Sequence, residues 1–508
     1  MTSVTSRLAG FVALIISSCN VIAAPPSEPS GTESPAPTLS DSSKPRALET
    51  EAGVTPANDA ANLTRRLDER RRDDPYTLSV GGRPLAITGE FQSSIFRRKD
   101  FALAEGAKDD LTRLDQEFQL EALYKLGGNS RIFLEMKGLT EIETQKEAGG
   151  ESSDATVERG QMWIYLDGPL GSAIQVGRMN FRERRSWWWD DDLDAVRLQI
   201  VGSSLTAQVA WARELAPTVV SREIDPAQED VRRVLAHVGW RYLRRHNLEL
   251  FYLNQRDDSE TGVTGFLLPR DRRDGSDAQL RWIGLRASGN VRFGSEGRFI
   301  YWFDTASVRG DERLVEYSSV NSTTSQIQGM RERRVSGHAI DLGLGLQLDW
   351  SLRPSVNFGF ARGSGDCDPS DGVDRAFRQT GLEENKSRLL GVKRFRYYGE
   401  LTQPTLANLE VLTGGLGFRP TKESSVDLLM HRYRQSVAAS TISGFRIGAP
   451  LDGTNRELGH EIDVVIAVRE SKSWEFVITG ATFTAGRAYG AQAGRKAKYG
   501  ELSVTYNF

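Results

Sequence analysis

The chain has 508 residues, 39% of them hydrophobic, and its Lys+Arg 65 nearly balance its Asp+Glu 68. No bulk basicity points to nucleic acid, so any electrostatic function must lie in how the charges are arranged. No apolar stretch beyond the N-terminal region is long enough for a membrane helix. That excludes a helical membrane protein but not a β-barrel, whose strands alternate lipid-facing apolar with lumen-facing polar residues and average out as hydrophilic.

Residues 1–24 read as a secretory signal peptide. Arg7 supplies the positive charge, Leu8 to Ile16 the apolar core, and Val21–Ile22–Ala23 or Ile22–Ala23–Ala24 the small-residue cleavage site. Ile16–Ser17–Ser18–Cys19 loosely resembles a lipidation box, but the apolar run and its Ala-Ala ending continue past Cys19, which favours plain cleavage. Cys367 is then the one thiol left, so the exported chain has no internal disulfide framework. Residues 25–75 carry Pro25, Pro26, Pro29, Pro35 and Pro37 among Ser, Thr, Glu and Ala. Such a composition buries too little surface to offset chain entropy and predicts a disordered tether.

From residue 76 to 508 the pattern is that of one all-β domain, an antiparallel transmembrane barrel. In 113–126, Leu114, Gln116, Phe118, Leu120, Ala122 and Tyr124 fall on one face, against Arg113, Asp115, Glu117, Gln119 and Glu121 on the other. A helix would separate Phe118 from Leu120, whereas a strand places them together. Similar runs lie near 85–96, 131–139, 157–167, 172–180, 195–201, 203–213, 231–242, 247–256, 277–287, 297–307, 338–350, 355–362, 388–398, 408–418, 423–434, 459–469, 474–484 and 499–508. They amount to about eighteen strands, each near the ~9–11 residues that span a bilayer. Trp240–Tyr242, Tyr301–Phe303 and Tyr397–Tyr398 stand near the ends of runs, where interfacial belts need amphipathic rings. The last run, YGELSVTYNF, sets Leu502, Val504, Tyr506 and Phe508 against Glu501, Ser503, Thr505 and Asn507, and looks like the assembly signal of bacterial outer-membrane barrels. Counting back from a periplasmic C-terminus puts 485–498 and 435–458 outside the cell, and the tight turns near 419–422 and 470–473 inside.

The segment GRMNFRERRSWWWDDDLDAVRL (177–198) concentrates arginines, three tryptophans and an acidic run. Arginine matches a carboxylate in two-point geometry and stays charged at any biological pH. With FARGSGD (360–366), FRQTGLEEN (377–385), YYGELTQPTLANL (397–409) and NRELGHEIDVV (455–465), it resembles the alginate-export family of outer-membrane porins over essentially everything from residue 85 on. The resemblance implies an eighteen-stranded barrel with an electropositive, arginine-lined constriction that passes a polyuronate. Carried over by position, the candidates are Arg178, Asp190, Asp192, Asp194, Arg197, Arg362, Arg378 and Arg456, with Arg185 added from the arginine-rich stretch itself. One departure is visible. The family's long periplasmic turn that plugs the pore is here Arg469–Ser473, passing straight into Trp474, so neither gating by that plug nor alginate itself as cargo carries over with the motifs.

Other features carry weaker readings. Trp187, Trp188 and Trp189 suit either stacking on sugar rings or packing of a plug, and packing is favoured for at least two of them. Asp366, Asp368 and Asp371 offer oxygen ligands for Ca²⁺, but without the spacing of a calcium motif a solvated acidic loop is favoured. No other cofactor is implied. The five histidines (His237, His246, His338, His431, His460) lack a nucleophile elbow or paired metal-ligand spacing, which weighs against a barrel hydrolase. Export of an anionic exopolysaccharide, alginate or a related polyuronate, is the leading expectation, with uptake of small anionic sugars or carboxylates as the rival that the same arginines would serve. Expected partners are the polysaccharide, outer-membrane lipid and lipopolysaccharide, and periplasmic export-complex proteins, around a monomer.

Overall fold

The computed structural model describes residues 75–105, 110–145, 151–259 and 262–508. The signal and nearly all of the tether lie outside the described residues. Eighteen antiparallel strands close into one barrel. In chain order they are β1 Arg83–Lys99, β2 Leu111–Gly127, β3 Ser130–Gln145, β4 Glu151–Asp167, β5 Ser172–Arg182, β6 Asp190–Val201, β7 Leu205–Arg213, β8 Arg232–Leu243 and β9 His246–Arg256. They continue as β10 Ser276–Phe293, β11 Gly297–Ser319, β12 Thr324–Leu348, β13 Ser355–Gly363, β14 Leu409–Phe418, β15 Ser424–Gln435, β16 Glu457–Val468, β17 Trp474–Ala485 and β18 Lys496–Asn507.

Each strand pairs with its neighbours in sequence, and β1 pairs with β18 to close the cylinder, Glu90↔Asn507 through Lys99↔Lys498. Phe508 completes the seam. Its N–H and C=O both bond Gly89 at 3.0 Å, and its ring stacks on Phe118 and Tyr506. Full closure removes the unpaired edges that an open sheet would present to lipid.

The alternation decides which side is lipid-facing. Phe91, Ile95, Phe118, Leu120, Leu134, Ile164, Leu250, Ile283, Leu285, Ile478 and Leu502 are all exposed, as an outward band in hydrocarbon must be. Turns on the side of the two termini are short, such as 128–129, 202–204 and 469–473, whereas 214–231, 364–408 and 436–456 on the other side are long. Short turns inward and long loops outward are the asymmetry of outer-membrane barrels.

One sequence expectation is corrected. The run 388–398 is no barrel strand. Only Lys386–Ser387 and Phe395–Arg396 pair there, as a miniature hairpin inside the barrel, and Tyr397 and Tyr398 are buried rather than interfacial. Its apolar residues pack on the inner wall, which produces strand-like alternation without a place in the sheet. The run 195–201 is a strand as expected, and extends back to Asp190 as β6.

Long segments fold into the barrel. The β5–β6 hairpin leaves the wall partway up: β4–β5 pairing stops at Met162↔Arg178, β6–β7 pairing stops at Ala195↔Ala212, and beyond them Met179–Arg182 pair only with Asp190–Leu193. Gly177 sits at the departure point with φ +125°, and a Cβ there would fall 2.1 Å from the Met162 carbonyl oxygen, so a side chain cannot be accommodated. The gap in the wall is filled by the chain after β7, where Arg159 N–H donates to Thr218 O and Val220 N–H to Val157 O, each at 2.9 Å. The 364–408 segment enters the barrel after β13.

These inserts dock on one side. The inward faces of β8 to β11 carry most of the buried apolar residues of the wall, Leu235, Phe251, Leu253, Leu280, Trp282, Trp302, Ala306 and Val308, with Arg286 and Asp304 set among them. Trp188 stacks on Phe251 at 4.9 Å, Trp189 meets Phe251 edge-on at 5.4 Å, and Trp187 stacks on Phe377 at 6.2 Å. Gly284 makes room for this, since a Cβ there would lie 2.4 Å from Trp188. Burying large side chains of this kind stabilises by roughly 1.5–3 kcal/mol each.

Candidate functional site: a passage along the polar half of the barrel

With one half of the interior filled, the remaining space lies against β1–β3, β17 and β18. A cavity of about 870 Å³ follows β1 from Glu90 to Arg98 and β18 from Asn507 to Tyr499. Eight residues of strand cover roughly 26 Å, most of the ~30 Å hydrocarbon thickness. Its other wall is formed by Asn180, Arg182, Asp190 and Asp192 of the β5–β6 hairpin and by Glu384, Lys386, Lys393, Arg394, Arg396 and Gln403 of the 364–408 segment.

Eight basic and ten acidic side chains line it, so the passage is mixed rather than uniformly basic. Both signs occur at each end. Glu90 and Glu475 stand toward the end with the short turns, and Arg98, Arg113 and Arg446 toward the end with the long loops. Most cations are paired: Arg113 with Asp115 at 2.7 Å, Arg396 with Glu384 at 2.8 Å, Lys393 with Glu475 at 2.5 Å, and Arg394 with Asp190 at 3.1 Å. Arg98 and Arg446 have no carboxylate within ion-pair distance among the described residues. Burial and the like charges of Arg396 and Arg98 hold the Arg446 guanidinium below its ordinary pKa, with Tyr499 and Glu400 opposing them.

A network of buried charges fixes the inserts. The Glu183 carboxylate, at the hairpin turn, accepts the N–H groups of Arg185 at 2.8 Å and Trp188 at 3.0 Å, and is gripped by both terminal nitrogens of Arg286. Arg185 lies between the rings of Trp302 (4.2 Å) and Tyr397 (4.4 Å) and donates to Asp341 at 2.6 Å. Tyr398 Oη donates to Asp341 at 2.6 Å, and Trp302 Nε1 donates to its other oxygen at 2.7 Å. On the opposite wall, Glu461 accepts Leu401 N–H at 2.7 Å and Thr402 N–H at 3.2 Å, and Asp463 accepts Glu400 N–H at 3.1 Å. Removing one partner from such a network costs on the order of 3–5 kcal/mol, because the other charge is left buried and unpaired. His431 belongs to this wall, bonded to Thr413 at 2.8 Å and close to Asp463 at 3.3 Å, and is fully buried.

The sequence-predicted residues are dispersed. Asp190 and Asp192 line the passage. Arg178 and Asp194 stand opposite each other where the hairpin leaves the wall; Arg159 grips Asp194 at 2.6 and 2.9 Å, and Arg178 donates to Thr218 at 2.9 Å. Arg185 is part of the buried network. Arg197 is buried below the hairpin against Phe181 and Gln175. Arg378 is held inside the barrel mouth by Glu312 (2.6 and 2.8 Å) and Asp374 (2.7 Å).

Arg362 and Arg456 are corrections. Arg362 pairs in register with Ile340, on the outward face that Phe358 and Phe360 share, while Ala361 and Asp341 point inward. It is 52% exposed on the outer rim and reaches Glu410 at 3.4 Å. Arg456 joins the same carboxylate at 2.9 Å. Neither lines the pore, because strand parity sends Arg362 and Glu410 to the outside.

The inward arginines Arg98 and Arg113 were not singled out from the sequence. The signal was present, since both fall on the polar parity of their strands. Asp366 and Asp371 are engaged by Arg375 at 3.7 and 2.7 Å, and Asp368 accepts the Ser370 hydroxyl at 2.6 Å. Among the described residues, the carboxylates that converge within 4.8 Å are instead Asp257, Asp274 and Asp277, which share the Ser259 hydroxyl.

A closed eighteen-stranded cylinder with an apolar outer band and a wet, partly obstructed interior is an outer-membrane porin fold. Solved porins of Pseudomonas aeruginosa have this architecture. OccK9 (OpdG) superposes with a TM-score of 0.52 at 13% identity, covering 84% of this chain and 98% of that one. OpdK with vanillate gives 0.51 at 10%, with the same two coverages. These likenesses concern the fold.

The chain belongs to the alginate-export family, whose model matches residues 83–502. The alginate production protein AlgE of Pseudomonas aeruginosa is 25% identical over 329 residues, 63% of this chain and 65% of that protein. Its counterpart in Pseudomonas syringae pv. tomato is 25% identical over 343 residues, 62% and 66%. The alignment thus spans just under two thirds of these relatives.

Proposed function

We propose that this barrel lets an anionic polysaccharide, a polyuronate such as alginate, leave the cell along the passage beside β1 and β18. The observation that carries the reading is a cavity that runs along most of the apolar band, with the guanidiniums of Arg98 and Arg446 free of carboxylate partners among the described residues. Carboxylates of the polymer exchange between these cations, while Asp190, Asp192 and Glu400 keep any one contact weak enough to release. The driving force is synthesis on the inner side. No chemical step is involved, and one closed cylinder within a single chain encloses the passage.

Planar-bilayer recordings with added oligosaccharides test this. Blockade by oligouronate at concentrations where neutral oligosaccharides of equal length do nothing is the expected result. Equal block by neutral sugars overturns the charge-based mechanism. Block by monomeric uronate as strong as by the oligomer supports uptake of small anions instead.

A further inference from the structure

The outer wall of β7–β11 carries charges that neither the passage nor the fold requires. At the end with the long loops, outward-facing arginines are set opposite one another by the strand register: Arg213↔Arg232, Arg232↔Arg256 and Arg281↔Arg309. Arg334 continues the belt on β12, opposite Asp311. Parity fixes their direction, because Val234, Ile283 and Leu285, which share faces with Arg232 and Arg281, are exposed to lipid, while Leu235 and Trp282 are buried inside. The belt therefore sits immediately above the hydrocarbon band, at headgroup level.

Like charges directly opposite on a sheet repel and destabilise the pairing. Arg213 and Arg256 are relieved by Asp230 and Asp258. Arg232, Arg281 and Arg309 are exposed and make no ion pair or side-chain hydrogen bond among the described residues. Of the carboxylates on the same face, Asp277 shares the Ser259 hydroxyl, Glu332 pairs with Arg313, and Asp311, two residues beyond Arg309, makes no ion pair with the three arginines among the described residues. A row of unneutralised guanidiniums, on a rigid sheet and flush with lipid, complements a ligand that brings several negative charges at that depth and acyl chains below it. Arginine rather than lysine matches phosphate in two-point geometry.

We infer that the outer face of β8–β11 binds the phosphorylated glycolipid of the outer leaflet through Arg232, Arg281 and Arg309. The phosphates bridge the opposed arginines, and the acyl chains lie on Val234, Ile283 and Leu285. The lipid thereby cancels the repulsion across the β10–β11 pair, and the site is independent of what the lumen conducts.

The test uses the full barrel purified in detergent and three probes: bis-phosphorylated lipid A, dephosphorylated lipid A and inorganic phosphate. Native mass spectrometry counts bound lipid for the wild type, for the triple variant Arg232→Gln, Arg281→Gln, Arg309→Gln, and for Arg362→Gln, whose guanidinium is already paired with Glu410 elsewhere on the rim. We expect bis-phosphorylated lipid A to bind the wild type and Arg362→Gln at least tenfold more tightly than the triple variant. Dephosphorylated lipid A should bind all three alike and weakly. Inorganic phosphate should not displace the lipid, as befits a site that also needs the chains; displacement at equal concentration overturns the lipid assignment. Equal retention by the wild type and the triple variant, with the heat-dependent gel shift of a folded barrel intact in both, overturns the site.

Discussion

The two halves of this barrel are built from the same strand type and do opposite things with their inner faces. β1–β3, β17 and β18 point Glu90, Gln92, Arg113, Asp115, Ser503 and Thr505 inward and keep them wet. β8–β11 point Leu235, Phe251, Trp282, Trp302 and Val308 inward and bury them beneath the β5–β6 hairpin and the 364–408 segment. A barrel this wide selects nothing unless something fills it. Filling one half with folded chain leaves a passage against the other, and the apolar half is where the filling adheres. A pore residue is therefore defined by which half its strand belongs to, not only by pointing inward.

The largest effect should come from releasing the filling. Glu183→Ala removes the carboxylate that closes the hairpin turn and leaves Arg286 with only part of its neutralising charge, weakening docking by about 3–5 kcal/mol. Single-channel conductance should rise several-fold and protease should reach the 183–189 turn, while the barrel stays folded by its gel shift. Unchanged conductance would show that the hairpin does not set the bore.

The second effect concerns the wet half. Replacing Arg98 and Arg446 together by Glu should weaken oligouronate block by about tenfold or more, equivalent to ~1.4 kcal/mol, and abolish any preference for anions. If block survives intact, these two cations are not where the polymer is held. A smaller shift is expected from salt alone. Raising it from 0.1 to 1 M shortens the screening length from ~10 to ~3 Å, so block of the wild type should weaken by a few-fold. Block by apolar stacking would not respond in that way.

The smallest expected change is the most discriminating for the geometry. Arg362→Glu should leave conductance and ion preference within about twofold of the wild type, because its guanidinium faces outward beside Glu410, and such exposed pairs contribute only about 0–1 kcal/mol. A large loss of anion preference would place Arg362 in the lumen and contradict the strand parity.

Much of the cylinder could be read from the residue pattern. The alternation of Leu114, Phe118 and Leu120 against Arg113, Glu117 and Gln119 gave both strand and facing correctly, and β18 runs as its two faces foretold. The run at 388–398 misled because pairs such as Leu390 and Val392, or Phe395 and Tyr397, alternate to pack on a wall, not in one. The site was less legible. Arg178, Arg185 and Asp194 share one stretch with Asp190 and Asp192, yet a bend at Gly177 leaves Arg178 and Asp194 at the departure point, Arg185 in the buried network, and Asp190 and Asp192 in the passage.

The sequence by itself determined that this is a closed barrel of outer-membrane type, since a period of two and the turn-length asymmetry are local properties that survive any packing. Only the tertiary structure decided which arginines meet the lumen. That depends on where chain entering from the loops comes to rest, and it rests where apolar inner faces and buried countercharges, contributed by strands a hundred residues away, make burial favourable.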